Sequence, residues 1–318
     1  MNNISTVLIL GFPNLHDCRY LLFYLLLLAF CVSICGNVFL IMMVSHDKNL
    51  KSPMYFFLSQ LSICDILLSI DSVPNTLVVV LKEGGSMSLA GCILQYTFFV
   101  ISECSECLLL TVMSYDRYLA ICNPLHYASM MGDGLCKVLS FMCWTLSIFY
   151  SLVLSSSISS LYFCGPNTID HFFCDLDPIL KLSCSDVFFI QIEAKVLSIP
   201  AVVCPFLFII VSYIYIVIAV LNISSISGRQ KAFLTCSSHL TVVCLYYGTV
   251  IAVYIFPAPL QSLTLNKSFT MIYATVTPSL NPIVYSLRNK DIMEALARFV
   301  GKMPMPFMWP RGLNHVTP

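Results

Sequence analysis

The sequence predicts an all-α membrane protein, a seven-transmembrane helix bundle, on the evidence of its composition, its apolar segments and the distribution of its basic residues. Of the 318 residues, 58% are apolar and 10% are charged, whereas a soluble domain usually carries about 25% charged residues. The mean hydropathy is +0.87. So few charges cannot cover a globule in water, and the composition therefore excludes a free cytosolic or secreted protein. Disorder is excluded as well, because it needs low hydrophobicity.

Seven apolar segments each have the length of a membrane helix, since the hydrocarbon core needs about 20 residues per helix. In chain order they cover about residues 20–44, 54–81, 92–115, 138–162, 196–221, 232–256 and 268–287. The second and third segments each contain two carboxylic acids, whereas the first, fourth, fifth and sixth contain none. The connections are short except for residues 163–195. We therefore predict one domain over residues 1–318 and no separate soluble domain.

The basic residues favour an outer N-terminus and a cytoplasmic C-terminus, because Lys and Arg collect in cytoplasmic loops. In that orientation eleven of the sixteen are cytoplasmic and five are outside. The outer five are Arg19, Lys82, Lys181, Lys195 and Lys267. The cytoplasmic eleven are Lys48, Lys51, Arg117, Lys137, Arg229, Lys231, Arg288, Lys290, Arg298, Lys302 and Arg311. Sixteen acidic residues balance them, so nucleic acid is not an expected partner.

The N-terminal segment predicts a glycan and no removable signal peptide. Its first twenty residues have neither a basic n-region nor a cleavage signature. Asn3-Ile4-Ser5 is a glycosylation sequon on the predicted outer side. Asn3 is therefore the predicted glycosylation site.

The outer cysteines predict disulfides, whereas the cysteines inside the spans act as small apolar residues. On the predicted outer side are Cys18, Cys92, Cys164, Cys174 and Cys184. That side is oxidising, but spacing alone does not choose the pairs. A metal site at His171 and Cys174 is the alternative, and it is disfavoured because oxidised cysteines cannot bind metal.

Ionisable residues at membrane depth usually face the interior of a bundle and mark function. Here they are Asp65, Asp71, Glu103, Glu106 and His239. Asp65 and Glu106 lie on adjacent spans, where they predict either a neutral hydrogen-bonded pair or a sodium site with Ser102 and Asn37 nearby. Glu103 lies one turn further out than Glu106. It predicts either an anchor for a basic or hydrogen-bond-donating ligand, or a protonated carboxyl with a backbone or Ser partner.

Six motifs follow one another in the order of the predicted spans. They are Gly36-Asn37, Pro53–Asp65 (PMYFFLSQLSICD), Met113–Tyr127 (MSYDRYLAICNPLHY), Ser212-Tyr213, Lys231–Leu240 (KAFLTCSSHL) and Pro278–Lys290 (PSLNPIVYSLRNK). Together they resemble the olfactory (odorant) receptors, a branch of the rhodopsin-like G-protein-coupled receptors, over about residues 5–300. The departures are small: Ser114 where Ala is common in that family, and Ser279 where Met is common.

The resemblance implies a receptor of the plasma membrane with a short amphipathic helix, about residues 290–300, after the seventh span. It implies an odorant pocket between spans three, five, six and seven. It also implies a partner at the inner face, a stimulatory olfactory-type G protein that raises cyclic AMP. The family's outer disulfides correspond here to Cys92 with Cys174 and Cys164 with Cys184, which leaves Cys18 over.

Helical phase predicts which residues line the pocket, and the result is mostly apolar with a few polar anchors, as in most small-molecule sites. These residues are Phe99, Glu103, Cys104, Leu197, Ser198, Ala201, Val250, Tyr254 and Met271. Tyr247 lies on the same face of span six as Tyr254. It is predicted to couple ligand binding in the pocket to movement at the inner end of the span; its alternative role is interhelical packing.

The inner ends of the spans predict a switch. Arg117 is predicted to pair with Asp116 in a closed state and to meet Tyr213 and the G protein when released. The Asn281-Pro282 step removes a backbone hydrogen bond and predicts a kink beside Asp65. The whole predicted set is Asp116, Arg117, Tyr118, Tyr213, His239, Asn281, Pro282 and Tyr285.

Three other functions have less support. A transporter or channel would use the interior carboxylates to relay ions, but no half-to-half duplication is visible. A retinal receptor needs a lysine in the middle of span seven, and residues 268–287 contain none. We find no catalytic constellation, so we predict that the protein is not an enzyme and needs no cofactor apart from a structural sodium ion.

Overall fold

The computed structural model describes residues 4–12, 18–254 and 263–301. Helices make up most of this part of the chain. They are α1 Cys18–His46, α2 Pro53–Lys82, α3 Leu89–Cys122, α4 Pro124–Met130, α5 Asp133–Ser159, α6 Leu176–Leu180, α7 Phe188–Ser198, α8 Cys204–Leu221, α9 Ile226–Tyr254, α10 Leu263–Met271, α11 Thr277–Arg288 and α12 Lys290–Gly301. A short 3₁₀ helix covers Lys48–Leu50.

Five helical segments within the described residues are long and apolar enough to cross a membrane. They are Cys18–His46, Pro53–Lys82, Leu89–Cys122, Asp133–Ser159 and Phe188–Leu221. The sixth predicted span falls on α9, which contains a shorter apolar stretch, Cys236–Ile251. The seventh falls on the helical run from α10 to α11.

Helix α3 lies at the centre of the bundle, where it packs against α2, α5, α8 and α9. Hydrogen bonds join these helices, as expected where lipid provides no hydrophobic driving force between them. Ser151 Oγ donates to the carbonyl of Thr97 at 2.7 Å, and Ser140 Oγ donates to Gln60 Oε1 at 3.2 Å. Helix α1 approaches α11 closely at Gly36, where an added Cβ would lie 2.9 Å from Pro282 Cγ.

π-helical turns interrupt the fifth and seventh segments, close to their prolines. Ile199–Val203 joins α7 to α8, and Ile272–Val276 joins α10 to α11. Pro205 and Pro278 follow these turns and have no backbone N–H to donate. The extra residue in a π turn changes the helical phase, so side chains before Ile199 are rotated relative to a regular α-helix.

The outer end of the bundle carries a three-stranded sheet, which corrects the all-α prediction. Strand β1 (Thr6–Ile9) pairs antiparallel with β2 (Gly85–Ser88) and parallel with β3 (Thr168–Ile169). In β1 the side chains of Val7 and Ile9 are buried and those of Thr6 and Leu8 are exposed. Strands of two to four residues are too short to give a clear periodic signal, so the sequence did not predict them.

Two disulfides fix the long outer loop, and they are the pairs that the resemblance implies. Cys92 at the start of α3 joins Cys174, and Cys164 joins Cys184. Cys18 is exposed and has no disulfide partner. The three strands together with residues 163–187 are called the outer lid below.

The alternative of a metal site at His171 and Cys174 is wrong, because Cys174 is oxidised. Within the described residues no group of three or more His, Cys, Asp or Glu side chains is placed to hold a metal ion.

An ion pair ties the outer lid to α10. Lys267 is buried; its Nζ contacts Asp170 Oδ1 at 2.5 Å and donates to the carbonyl of Gly11 at 2.9 Å. The lid is therefore anchored to the start of α3 by a disulfide and to α10 by this lysine.

Helix α12 lies at the opposite end of the bundle, where it is held against the connection between α1 and α2 and against the first turn of α2. Arg298 Nη2 pairs with Asp47 Oδ2 at 3.0 Å, and Tyr55 OH donates to Asp291 Oδ2 at 2.7 Å. Ile292 and Ala295 are buried, as expected for the apolar face of an amphipathic helix.

Candidate functional site

A row of aromatic rings leads from the outer lid into the bundle. In order it contains Phe173, Phe99, Tyr273, Tyr246, Tyr247 and Phe206. Successive ring centroids are 5.1, 6.1, 5.8, 5.0 and 4.5 Å apart, within the range of favourable aromatic pairs. This aromatic row connects the lid with α3, α9 and α8 and so extends from the outer end to the middle of the bundle.

Glu103 lies beside the aromatic row and is only partly buried. Tyr246 OH donates to its backbone carbonyl at 3.0 Å. Tyr247 OH lies 2.8 Å from the sulfur of Cys107, one turn further in on α3. Two tyrosine hydroxyls on α9 thus hold this part of α3. The carboxyl of Glu103 makes no hydrogen bond or ion pair with the residues that the structure describes.

The other predicted pocket residues differ in exposure. Phe99, Cys104, Ala201, Tyr247 and Val250 are buried, and Leu197 and Met271 are partly buried. Ser198 is exposed, and its hydroxyl donates to the carbonyl of Lys195 at 2.8 Å. Tyr254 ends α9, and its side chain lies outside the described part of the structure.

Two carboxylic acids meet at a buried polar centre between α2, α3 and α11. Asn281 Nδ2 donates to Asp65 Oδ1 at 3.0 Å and to Oδ2 at 3.1 Å, and it lies 3.5 Å from Glu106 Oε1. All three residues are buried. A single amide therefore bridges the two acids that the sequence placed on adjacent spans.

Further polar oxygens at this depth have no hydrogen-bond partner within the described residues: Asn37 Oδ1, Ser102 Oγ and Asn281 Oδ1. The amide nitrogen of Asn37 is used, since it donates to the carbonyls of Ser33 and Pro278 at 3.0 Å each. Buried oxygens of this kind normally need a donor or a cation.

The inner end of α3 holds Arg117 against Asp116. Arg117 Nε donates to Asp116 Oδ2 at 2.9 Å, and Nη2 contacts the same oxygen. Tyr127 on α4 donates to the other oxygen, Asp116 Oδ1, at 2.7 Å. Both oxygens of the carboxylate are thus engaged, as in the closed arrangement that the sequence suggested.

His239 connects three helices. Its Nε2 lies 3.1 Å from the carbonyl of Leu110 on α3, and its Nδ1 lies 2.7 Å from Tyr213 OH on α8. Because a carbonyl can only accept, Nε2 carries a proton and donates to Leu110. The hydroxyl of Tyr213 also lies 3.4 Å from the carbonyl of Cys236. Both nitrogens of the imidazole are therefore used.

The remaining predicted switch residues lie around these contacts. The rings of Tyr118 and Tyr215 are 6.1 Å apart. Pro282 lies against Gly36. Tyr285 is fully buried, and its hydroxyl has no hydrogen-bond partner in the described part of the chain.

Sequence reasoning predicted Phe99 and Tyr247 but missed the other four rings of the aromatic row, which are Phe173, Tyr273, Tyr246 and Phe206. Phe173 lies next to the paired Cys174, and Tyr246 lies next to the predicted Tyr247. These neighbours were signals, but only the fold shows that the rings form a row. Leu110 was missed because its contribution is a backbone carbonyl, which carries no sequence signal.

Two titratable groups in the outer lid have shifted pKa values. Burial, together with the nearby Lys267, lowers the pKa of His171 to about 4. Burial raises the pKa of Asp175 to about 6, with a further contribution from Asp177. The lid therefore favours neutral forms of both side chains.

Comparison with known proteins gives consistent matches. Residues 26–302 match the family model described as olfactory receptor. Olfactory receptor 11L1 of Homo sapiens is 45% identical over 93% of this chain and 93% of its own length. Olfactory receptor 5A1 of Homo sapiens is 44% identical over 93% and 94%. Olfactory receptor 1M1 of Mus musculus is 40% identical over 94% and 95%.

Proposed function

Since the chain belongs to the olfactory receptor family, we propose that this odorant-detecting G-protein-coupled receptor activates a stimulatory olfactory-type G protein and so raises cyclic AMP. Like its family it is a signalling receptor of the plasma membrane and not an enzyme. We propose seven crossings, with α9 as the sixth and the run from α10 to α11 as the seventh.

The aromatic row is the observation that carries the proposed site. It begins at Phe173 of the outer lid, five of its six rings are buried, and Glu103 beside it is a polar anchor. An odorant would bind by displacing some of these rings. Small-molecule sites are mostly apolar with a few polar groups. We propose that a small odorant binds here, among the pocket residues predicted on α3, α9 and α10 and near the π turn before α8.

The proposed mechanism is a shift between a closed and an open arrangement of the inner ends. A ligand moves such an equilibrium only by its higher affinity for one state. An odorant that displaces Tyr246 or Tyr247 moves α9, on which both lie. Helix α9 also carries His239, so its movement breaks the contact with Leu110 and frees the inner face for the G protein.

A cyclic AMP reporter assay in cells tests this function. Receptor-expressing cells are screened against odorant panels that include amines and acids. We expect some odorants to raise cyclic AMP, and we expect replacement of Arg117 by Ala to remove the response at unchanged surface expression. A full response from the Arg117→Ala receptor would contradict the coupling role of this residue.

We propose that the polar centre holds a structural sodium ion. Asp65 and Glu106 supply carboxylate oxygens, and the unpartnered oxygens of Asn37, Ser102 and Asn281 suit a hard cation that prefers oxygen ligands. The neutral pair bridged by Asn281 is the alternative.

Thermal unfolding of the purified receptor in sodium and in choline at equal ionic strength tests the proposal. Sodium should raise the unfolding temperature relative to choline, and Asp65→Asn should remove this difference. The neutral pair predicts no difference between the two cations.

We propose that the N-terminus is outside and the C-terminus cytoplasmic, on the basis of the eleven-to-five distribution of basic residues. Asn3 lies outside the described residues, and we propose that it carries a glycan. An N-terminal epitope tag should be labelled on intact cells and a C-terminal tag only after permeabilisation.

The glycan on Asn3 has its own test. Glycosidase treatment should increase the electrophoretic mobility of the wild-type receptor but not that of Asn3→Gln.

A transporter or channel is the competing function. It predicts ion flux through purified protein in vesicles without any G protein. Such flux, together with an absent cyclic AMP response, would favour that function over the receptor.

A further inference from the structure

Helices α8 and α9 leave an apolar crevice between them. Two adjoining cavities, of about 560 and 600 Å³, lie between these helices and share Tyr213, Val217 and Leu240 as walls. Cavities of this size are typical of small-molecule sites. The two cavities together are called the α8–α9 crevice below.

The crevice opens towards the surface of the bundle. Its floor includes Tyr213 and Cys236, which are 8% and 6% exposed. Its rim includes Val217, Leu221 and Phe233, which are 52%, 60% and 64% exposed. The rim is apolar, and Val217 and Leu221 lie on a segment that is long enough to cross the membrane. We therefore expect the opening to face lipid hydrocarbon.

A cation lies at one end of the crevice. Arg229, in the first turn of α9, is among the lining residues, and neither cavity is lined by an acidic residue in the described part of the chain. Arg229 Nη2 donates to the carbonyls of Leu221 and Ile223 at 3.1 Å each. These bonds hold the guanidinium at the mouth of the crevice.

We propose that the α8–α9 crevice binds one anionic phospholipid of the cytoplasmic leaflet, with an acyl chain between the two helices and its phosphate on Arg229. An apolar groove that ends at a guanidinium is complementary to this molecule, because basic residues attract the anionic lipids of that leaflet. The assignment to the cytoplasmic leaflet rests on the proposed orientation. The lipid would lie against Tyr213, the partner of His239, so its presence would bear on the position of α9.

Lipid retention by the purified full-length receptor tests the proposal. Receptor in detergent is incubated with phosphatidylserine or with phosphatidylcholine of the same acyl chains, and bound lipid is counted by native mass spectrometry. We expect wild type to retain phosphatidylserine in preference to phosphatidylcholine. Arg229→Gln should weaken phosphatidylserine binding about fivefold, and Arg229→Lys should largely preserve it.

Lys51→Gln is the matched control for the loss of one positive charge. Like Arg229, Lys51 donates from its side chain to two backbone carbonyls, here those of Val44 and Ser45 at the inner end of α1. This variant should leave phosphatidylserine binding unchanged. Val217→Trp fills the crevice and should abolish retention, whereas Leu207→Trp, on the exposed face of α8 outside both cavities, should not. Monodisperse elution in size-exclusion chromatography shows that a variant is folded. If Val217→Trp does not elute in this way, the comparison of Arg229→Gln with Arg229→Lys tests the proposal instead.

Equal retention of the two lipids, or equal losses in Arg229→Gln and Lys51→Gln, would overturn the proposal. Retention of a sterol but not of phosphatidylserine in competition would also overturn it. None of these measurements uses an odorant or a G protein. The proposed lipid binding and the proposed signalling function are therefore tested independently, and either can be contradicted without the other.

Discussion

His239 shows how one buried side chain can link the helices of a receptor. Its two nitrogens bond to α3 and α8 while the residue itself belongs to α9. Burying a polar group without hydrogen bonds is costly, so α9 cannot move away without a replacement for both partners. The closed arrangement is therefore stabilised at this residue.

His239→Phe should raise cyclic AMP in the absence of odorant and lower the thermal stability of the purified receptor. The change removes the bonds to Leu110 and Tyr213, each worth about 0.5–1.5 kcal/mol, while the hydroxyl of Tyr213 keeps the carbonyl of Cys236 at 3.4 Å. Tyr213→Phe removes only one of the two bonds of His239, together with the longer contact to Cys236, and should give a smaller effect in both measurements. Unchanged basal signalling in both variants would show that the contact does not stabilise the closed state.

Glu103→Gln should change the order in which odorants activate the receptor. The carboxyl can attract a basic ligand, whereas the amide of similar size cannot. The measurement is a dose–response series for amines, alcohols and acids, with Glu103→Asp as the control that keeps the acid. A uniformly lower response with an unchanged order would instead indicate a structural role.

At the scale of elements, the sequence predicted the helices better than their irregularities. Apolar runs are long enough to identify α1, α2, α3 and α5 directly, even though the runs in α2 and α3 each contain two carboxylic acids. The Asn281-Pro282 step predicted disturbed hydrogen bonding in the seventh segment, but no pattern predicted the π turns in the fifth and seventh segments. The outer strands depend on pairing among three distant parts of the chain, which no local pattern records.

The outer lid should respond to pH through two opposing groups. Because the pKa of His171 is lowered to about 4, the folded lid binds fewer protons than the unfolded chain between about pH 4 and 6.5 and loses stability as the pH falls. The pKa of Asp175 is raised to about 6. The folded lid therefore binds more protons at Asp175 between about pH 4 and 6, and it gains stability there as the pH falls.

Single variants should separate the two groups. Relative to wild type, His171→Gln should make the receptor more stable on acidification from about pH 6.5 to 4.5, because only Asp175 then responds. Asp175→Asn should make it less stable over the same range. Thermal unfolding of purified receptor across this range measures both, and parallel curves for the three proteins would contradict the assigned groups.

At the scale of the whole molecule, the sequence indicated which residues matter more reliably than which residues meet. The predicted spans placed Asp65, Glu106 and Asn281 on three different helices, and helix packing brings them together. Only two of the six rings in the aromatic row were predicted, because its members come from the lid, α3, α9, α8 and the π turn before α11. Their convergence depends on how the helices pack, which one sequence without its fold does not reveal.

Pocket variants and switch variants should separate when basal signalling and odorant potency are measured together. A change that favours the open state raises the affinity of every odorant that prefers that state, since the coupling between the two ends is reciprocal. Tyr127→Phe removes one bond to Asp116, so it should raise basal cyclic AMP and the potency of all agonists by a similar factor. Glu103→Gln should leave basal cyclic AMP unchanged and alter potency odorant by odorant. If Tyr127→Phe raised the potency of some agonists and lowered that of others, a single equilibrium between two states would not describe this receptor.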